Sequence, residues 1–209
     1  MRPRRTIAPL LAAAVALASG PGCWVSTSEL DDKINGTGPD SSPGPVDCER
    51  VEQLADGGFE EGSPSVAWDE YSVLFGTPIC NETCDETGLA TPFEGRYWVW
   101  LGGASTYDEA GVSQRVVFGG QGVATLSLML SIPVGSNDPA DKLTVLVDGE
   151  TMFEIIGAEG ASYAEYAPVE IDVGQYADGQ PHEVEIRGVV QGNGVTNFFV
   201  DAVSLMGCP

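Results

Sequence analysis

The groups in this chain that could do chemistry are five cysteines, a single histidine, 31 acidic side chains and a set of scattered aromatic rings. Five thiols cannot all pair. Setting Cys23 aside as a lipid attachment point leaves Cys48, Cys80, Cys84 and Cys208, an even set suited to two disulfides in an oxidising compartment. Cys80-Asn81-Glu82-Thr83-Cys84 closes a small loop that a disulfide can span. Zinc is the weaker reading there, because His182 is the only histidine and the spacing is not a paired CxxC arrangement. A hydrolytic triad would also need His182, which follows Gly179-Gln180-Pro181 at a turn into a strand. No serine lies in a G-x-S-x-G elbow, and the acidic pairs Glu60-Glu61 and Asp108-Glu109 are consecutive residues that diverge on a strand. The expectation is a protein that is not an enzyme. Rings remain as the means of recognition, since an apolar sugar face stacks on an aromatic one. Trp98 and Trp100 share one strand face opposite Tyr97, Val99 and Leu101, so core packing is expected for at least two of Trp68, Trp98 and Trp100. Tyr107, Tyr163 and Tyr166 stand in loop-like polar stretches and are the candidate exposed, ligand-binding rings.

Three arginines in residues 1–5 precede an apolar run, Ile7 to Ala18, that is too short to span a bilayer. Residues 1–22 therefore read as a signal peptide. Small residues before Cys23 match a lipoprotein-type signal, although Gly20 stands where such signals carry a leucine-like residue. The alternative is ordinary cleavage near Ala18, with Cys23 left as a spare thiol or an intermolecular link. Either way the chain is expected to be exported, and Trp24 after Cys23 favours onward sorting to an outer membrane or cell surface. Residues 23–47 are rich in Gly, Pro, Ser and Asp and read as a flexible, lipid-anchored tether.

The formal net charge is −22, and loss of the signal peptide leaves six cations against 31 acidic residues, or −25. Those cations (Lys33, Arg50, Arg96, Arg115, Lys142 and Arg187) are scattered, so nucleic acid is a poor partner. The acidic bias suits a solvated surface, calcium binding or repulsion of other anions, with solubility the reading for most of the carboxylates.

Residues 48–209 are enough for one domain. Short alternating runs punctuated by Gly, Pro, Asn and Asp predict an all-β, two-sheet antiparallel sandwich. The clearest strands are Tyr97–Leu101, Val112–Phe118, Ala124–Ile132, Leu143–Val147, Thr151–Ile156, Val169–Val173, Glu183–Val190 and Asn197–Leu205, with Asp148-Gly149 as a hairpin turn. On the last of these, Asp201 shares side-chain parity with Phe199, Val203 and Leu205. Its carboxylate must therefore be hydrogen-bonded, paired with a cation or moved outward by a bulge.

Taken in order, Gly57-Gly58-Phe59-Glu60, Trp68, Phe75-Gly76-Thr77-Pro78-Ile79-Cys80, Tyr97-Trp98-Val99-Trp100-Leu101-Gly102-Gly103, Val147-Asp148-Gly149, Ala177-Asp178-Gly179 and Asn197-Phe198-Phe199-Val200-Asp201 carry a resemblance. The chain resembles exported bacterial jelly-roll domains of the galactose-binding-like and carbohydrate-binding-module superfamily, which occur on secreted peptidases and glycosidases. The resemblance implies neighbouring first and last strands, so that Cys48 and Cys208 would staple the two ends of the domain. It also implies a structural calcium held by Glu60 and Asp201, although Ala202 stands where such domains often carry a second acidic residue. The function expected is a cell-surface binding module for carbohydrate or another extracellular polymer. The alternative is a structural or adhesive protein acting through protein contacts.

Overall fold

The computed structural model describes residues 48–85 and 90–209. The expected signal peptide, Cys23 and the expected tether lie outside the described residues. Eleven strands are present among them: β1 (Val51–Glu52), β2 (Asp69–Ser72), β3 (Ile79–Asn81), β4 (Tyr97–Gly102), β5 (Asp108–Val117), β6 (Ala124–Val134), β7 (Lys142–Val147), β8 (Glu150–Ile156), β9 (Ala167–Asp172), β10 (Pro181–Val190) and β11 (Asn197–Gly207). They form two antiparallel sheets, one in the order β3-β4-β11-β6-β9 with β1 also on β11, the other in the order β2-β5-β10-β7-β8. This is the expected two-sheet sandwich.

Alternation explains most of it. In β10, Val184, Ile186 and Val190 are buried while Glu183, Glu185 and Arg187 face outward, and Val184 and Ile186 lie opposite Val147 and Val145 of β7. Leu126, Leu128 and Leu130 of β6 and Val99 and Leu101 of β4 complete the same core from the facing sheet. Asp148 and Gly149 both adopt positive φ, 51° and 79°, which is the turn that joins β7 to β8 without splaying the strands.

The central strand β11 is flanked by β6 on one side, and by β4 then β1 on the other. Its register against β6 shifts between Asp201 and Ser204, and Ala202 takes φ 48°. The bulge changes the parity. Phe198 and Val200 point into the core before it, Val203 and Leu205 point into the core after it, and Phe199 lies on the opposite face with Trp98. Val203 N–H donates to the Gly57 carbonyl at 2.8 Å, so the chain after β1 closes the gap between β1 and β4. Cys48 bonds to Cys208 and Cys80 to Cys84, both with Cα atoms 5.8 Å apart. Both expected pairings are present, and β1 on β11 is what brings the two ends together.

Candidate functional site

The outer face of β4 and β11 is not left to solvent. Trp98, Phe199 and Ala90 are buried there as a second, smaller cluster, with Trp100, Cys80 and Tyr166 packed against it. Trp98 and Trp100 both meet Phe199 edge-on, at ring-centroid distances of 6.4 and 5.3 Å. Trp68 is buried against Phe59, its indole N–H donating to the Asp56 carbonyl at 2.9 Å. Two of the three tryptophans are therefore core residues, as expected, and Trp100 is the one left partly open.

Trp100 lines a cleft of about 400 Å³ together with Phe75, Thr77, Ile79, Cys80, Cys84, Gly102 and Gly103. That volume falls within the roughly 300–1,000 Å³ of small-ligand sites. The indole is held in place: its N–H donates to Asn197 Oδ1 at 3.0 Å, and Gly103 packs so closely that a Cβ there would come within 2.8 Å of Nε1. The Cys80–Cys84 bond forms part of the lining. Thr77 donates its hydroxyl to Glu70 and accepts the Ile79 N–H at 3.0 Å, which leaves the cleft with a fixed polar group and no charged lining residue. A second cleft of about 400 Å³, lined by Arg50, Gly122 to Thr125 and Glu170 to Asp172, has no aromatic ring.

The expected ring set is only partly exposed. Tyr107 is exposed, with its hydroxyl donating to Glu109 Oε2 at 3.0 Å. Tyr163 ends a 3-10 turn and packs against the main core. Tyr166 sits half-buried beside the Trp98 cluster, donates to the Thr91 carbonyl at 3.0 Å and meets Phe93 edge-on at 5.6 Å. Burial, with the Asp201 carboxylate adding to it, raises its pKa. Tyr163 and Tyr166 thus pin loops rather than present rings. Phe75, which sequence reasoning did not single out as a site residue, presents one.

Glu60 and Asp201 do converge, on one loop. Glu60 lies in a turn well past β1 rather than on the first strand, and its Oε1 accepts the N–H groups of Arg96 and Tyr97 at 2.8 and 3.0 Å. Asp201, moved off the core by the bulge, accepts Phe93 and Glu94 N–H on Oδ2 at 2.8 and 3.1 Å, and Ala202 N–H on Oδ1 at 2.6 Å. Gly95 between these donors has φ 64°, and a Cβ there would fall 2.1 Å from Glu60 Oε1. Calcium takes six to eight oxygen ligands. Here amide hydrogens, which a cation repels, face both carboxylates. Among the described residues no group of three or more Asp, Glu, His or Cys could hold a metal ion. As folded, this donor set does not fit the calcium that the resemblance implies.

His182 lies in β10 between two carboxylates, Nδ1 2.6 Å from Asp148 Oδ2 and Nε2 3.1 Å from Asp178 Oδ1, with the Phe118 and Tyr176 rings edge-on. The hydrogen bond to Asp148 raises its pKa, against a smaller opposing effect of burial. Both ring nitrogens are engaged, Nδ1 tying the β7–β8 turn and Nε2 the loop before β10 to the start of β10.

No protein-family model matches the chain, and no curated protein does. Among solved structures, the chain is similar to TmCBM61, determined in complex with β-1,4-galactotriose, at 18% identity over 74% of this chain and 97% of that one, with a TM-score of 0.51. The fold is shared with a carbohydrate-binding module. Weaker likenesses include an adhesin domain of Lys-gingipain from Porphyromonas gingivalis (11% identity, 76% and 100% covered, TM-score 0.48) and a Stig cyclase from Fischerella sp. TAU (14%, 76% and 98%, 0.44). At 18% identity the likeness to TmCBM61 establishes a shared fold and leaves the ligand to the site.

Proposed function

We propose that this domain is a non-catalytic binding module that recognises saccharide in the cleft between Trp100 and Phe75. The observation that carries the reading is an open cleft in which two aromatic rings and a threonine hydroxyl meet with no charged side chain in the lining. A sugar ring presents an apolar face that these rings can stack on, and Thr77, whose hydroxyl hydrogen goes to Glu70, keeps one lone pair to accept from a sugar hydroxyl. His182, the one residue that could serve a hydrolytic triad, is occupied in a structural tie. Exposed Val73 and Leu74 beside Phe75 are what an adhesive, protein-contacting role would use instead.

The test is a titration of the purified, disulfide-intact protein with a panel of neutral oligosaccharides, β-1,4-galactotriose first, read by tryptophan fluorescence and calorimetry. Saturable binding that Phe75→Ala weakens at least tenfold supports the site. A panel-wide negative with folded protein moves the assignment to protein contacts.

Export and anchoring belong to the same proposal. The chain is acylated at Cys23 and held at an outer membrane or cell surface by the tether of residues 23–47. Cys23→Ser should then shift it from the membrane to the soluble fraction, and retention of that variant on membranes would overturn the anchor.

A further inference from the structure

The turn that carries Phe75 is held in place by a buried charge. Val73, Leu74 and Phe75 are 68, 43 and 58% exposed, three consecutive large apolar side chains in water, and none joins either core cluster. Their three N–H groups are nevertheless all engaged. Asp108, 2% exposed, accepts the Leu74 N–H at 3.0 Å and the Ser72 hydroxyl at 3.0 Å through Oδ1. Ser72 Oγ in turn accepts the Phe75 N–H at 2.8 Å, while Val73 N–H donates to the Glu109 carbonyl and Gly76 N–H to the Ser72 carbonyl. Taking a carboxylate out of water is costly unless donors compensate it, and here the donors belong to a surface turn. The effect of the arrangement is to fix the backbone at Phe75, a residue of the cleft lining.

We propose that Asp108 is a positioning residue for ligand recognition: it holds Val73–Phe75 as a pre-formed apolar lip, and the cleft with its lip takes an uncharged saccharide chain that rests on Trp100 and Phe75 and runs on over Leu74. The proposal rests on the saccharide reading of the cleft. The exclusion of anionic sugars follows from the site: the lining offers no cation to an anionic sugar, and the full chain carries a net charge of −22. Holding the ring in place before binding removes an ordering cost that a mobile loop would incur.

The test has two arms, so that the two readings fail separately. In the ligand-free protein, hydrogen exchange at the Leu74 and Phe75 amides should quicken at least tenfold in Asp108→Ala, which removes the acceptor, and at the Phe75 amide in Ser72→Ala, with the β5–β10 amides unchanged. Unchanged exchange at Leu74 and Phe75 would overturn the positioning role whether or not any sugar binds. In the second arm, neutral hexose trisaccharides and uronic-acid trimers are titrated into the parent, Asp108→Ala, Phe75→Ala and the double variant. The expected result is about tenfold weaker binding of the neutral trimer for Phe75→Ala, a smaller loss for Asp108→Ala, and no further loss when the two are combined. Additive losses would show that Asp108 acts elsewhere, and uronate binding as tight as neutral binding would overturn the uncharged ligand class. Self-association in sedimentation that Leu74→Ser abolishes, with no sugar bound, would assign the lip to a second copy of the chain.

Discussion

Asp201 gives a direct measure of how this domain handles buried charge. Desolvation raises its pKa from 3.8 to about 6, outweighing three backbone hydrogen bonds that act the other way, and the nearby Glu94 carboxylate adds to the rise. A carboxyl group whose pKa is higher in the folded than in the unfolded chain holds its proton more tightly when folded. Between pH 3.8 and about 6 the native state therefore binds more protons, and this residue's contribution makes stability fall as pH rises through that window. The shift from 3.8 to about 6 is worth about 3 kcal/mol at 1.36 kcal/mol per pH unit. This is an upper figure, because Phe93, Glu94 and Gly95 of the donor loop are exposed and water screens the charge from that side.

Asp201→Asn is the informative change. It keeps one oxygen for Phe93 and Glu94, cannot ionise, and turns an amide N–H₂ toward the Ala202 N–H, a mismatch of about 1–3 kcal/mol that does not depend on pH. Urea unfolding at intervals from pH 4 to 7.5, followed by tryptophan fluorescence, gives the stability of parent and variant. The advantage of the parent should shrink by about 2–3 kcal/mol across the series. A flat difference curve would refute the buried-charge argument. An advantage that grows with pH would mean the carboxylate is stabilised in the folded state, as a bound cation would stabilise it. Repeating the series in calcium and in chelator therefore decides the calcium question with the same proteins.

Other changes have outcomes that the geometry fixes. The Cys48–Cys208 bond closes a loop of 160 residues and the Cys80–Cys84 bond one of 4; in the chain-entropy model their removal costs about 5 and about 2 kcal/mol. Denaturant midpoints of the paired Cys→Ser variants should therefore differ in that order. His182, with a raised pKa, contributes stability that is full below its unfolded value of 6.5 and is lost as pH rises through its folded pKa. His182→Gln should then lower the melting temperature at pH 5.5 and do so much less at pH 9. Gly57→Ala would place a Cβ 1.8 Å from the Val203 carbonyl oxygen, breaking the Val203–Gly57 pairing beside the bulge. Destabilisation of more than about 3 kcal/mol by urea unfolding is expected, since backbone rather than a side chain must move.

Strands β4 to β11 were legible because each carries an apolar run bounded by turn-forming residues, alternating cleanly in β6 and β10, and Asp148-Gly149 marks a turn. Strands β1, β2 and β3 were not. They span two to four residues, and Asp69-Glu70-Tyr71-Ser72 becomes a strand only by pairing with β5 about forty positions away. Asp201 was half-legible: its parity conflicted with its charge, and the bulge resolves the conflict in one of the ways the sequence allowed. Tyr163 and Tyr166 looked exposed because their neighbours are polar. What packs them, the main core in one case and the Thr91 carbonyl in the other, lies far along the chain. Phe75 fails in the opposite sense. Its exposure carries no local signal, because what holds the turn outward is Asp108, 34 residues on from Leu74.

The same placement recurs across the domain and changes what its acidity means. Glu52 accepts the N–H groups of Gln53, Leu54 and Leu205; Asp56 those of Glu60 and Glu61; and Asp141, fully buried, accepts Gln191 N–H and the hydroxyls of Ser136 and Thr196. Glu60, Asp108 and Asp201 do likewise for the loops described above. A sandwich built from short strands leaves many loop amides unpaired by sheet, and each buried one needs an acceptor. A carboxylate offers about four lone-pair positions and, being charged, accepts more strongly than a carbonyl. Among the described residues Lys142–Glu154 is the one lysine or arginine ion pair, so these groups are held by amides and hydroxyls rather than by cations. The acidic excess is thus in part an internal scaffold for loops, which include the turn that presents Phe75. Salt, which screens exposed pairs, should leave that scaffold largely intact.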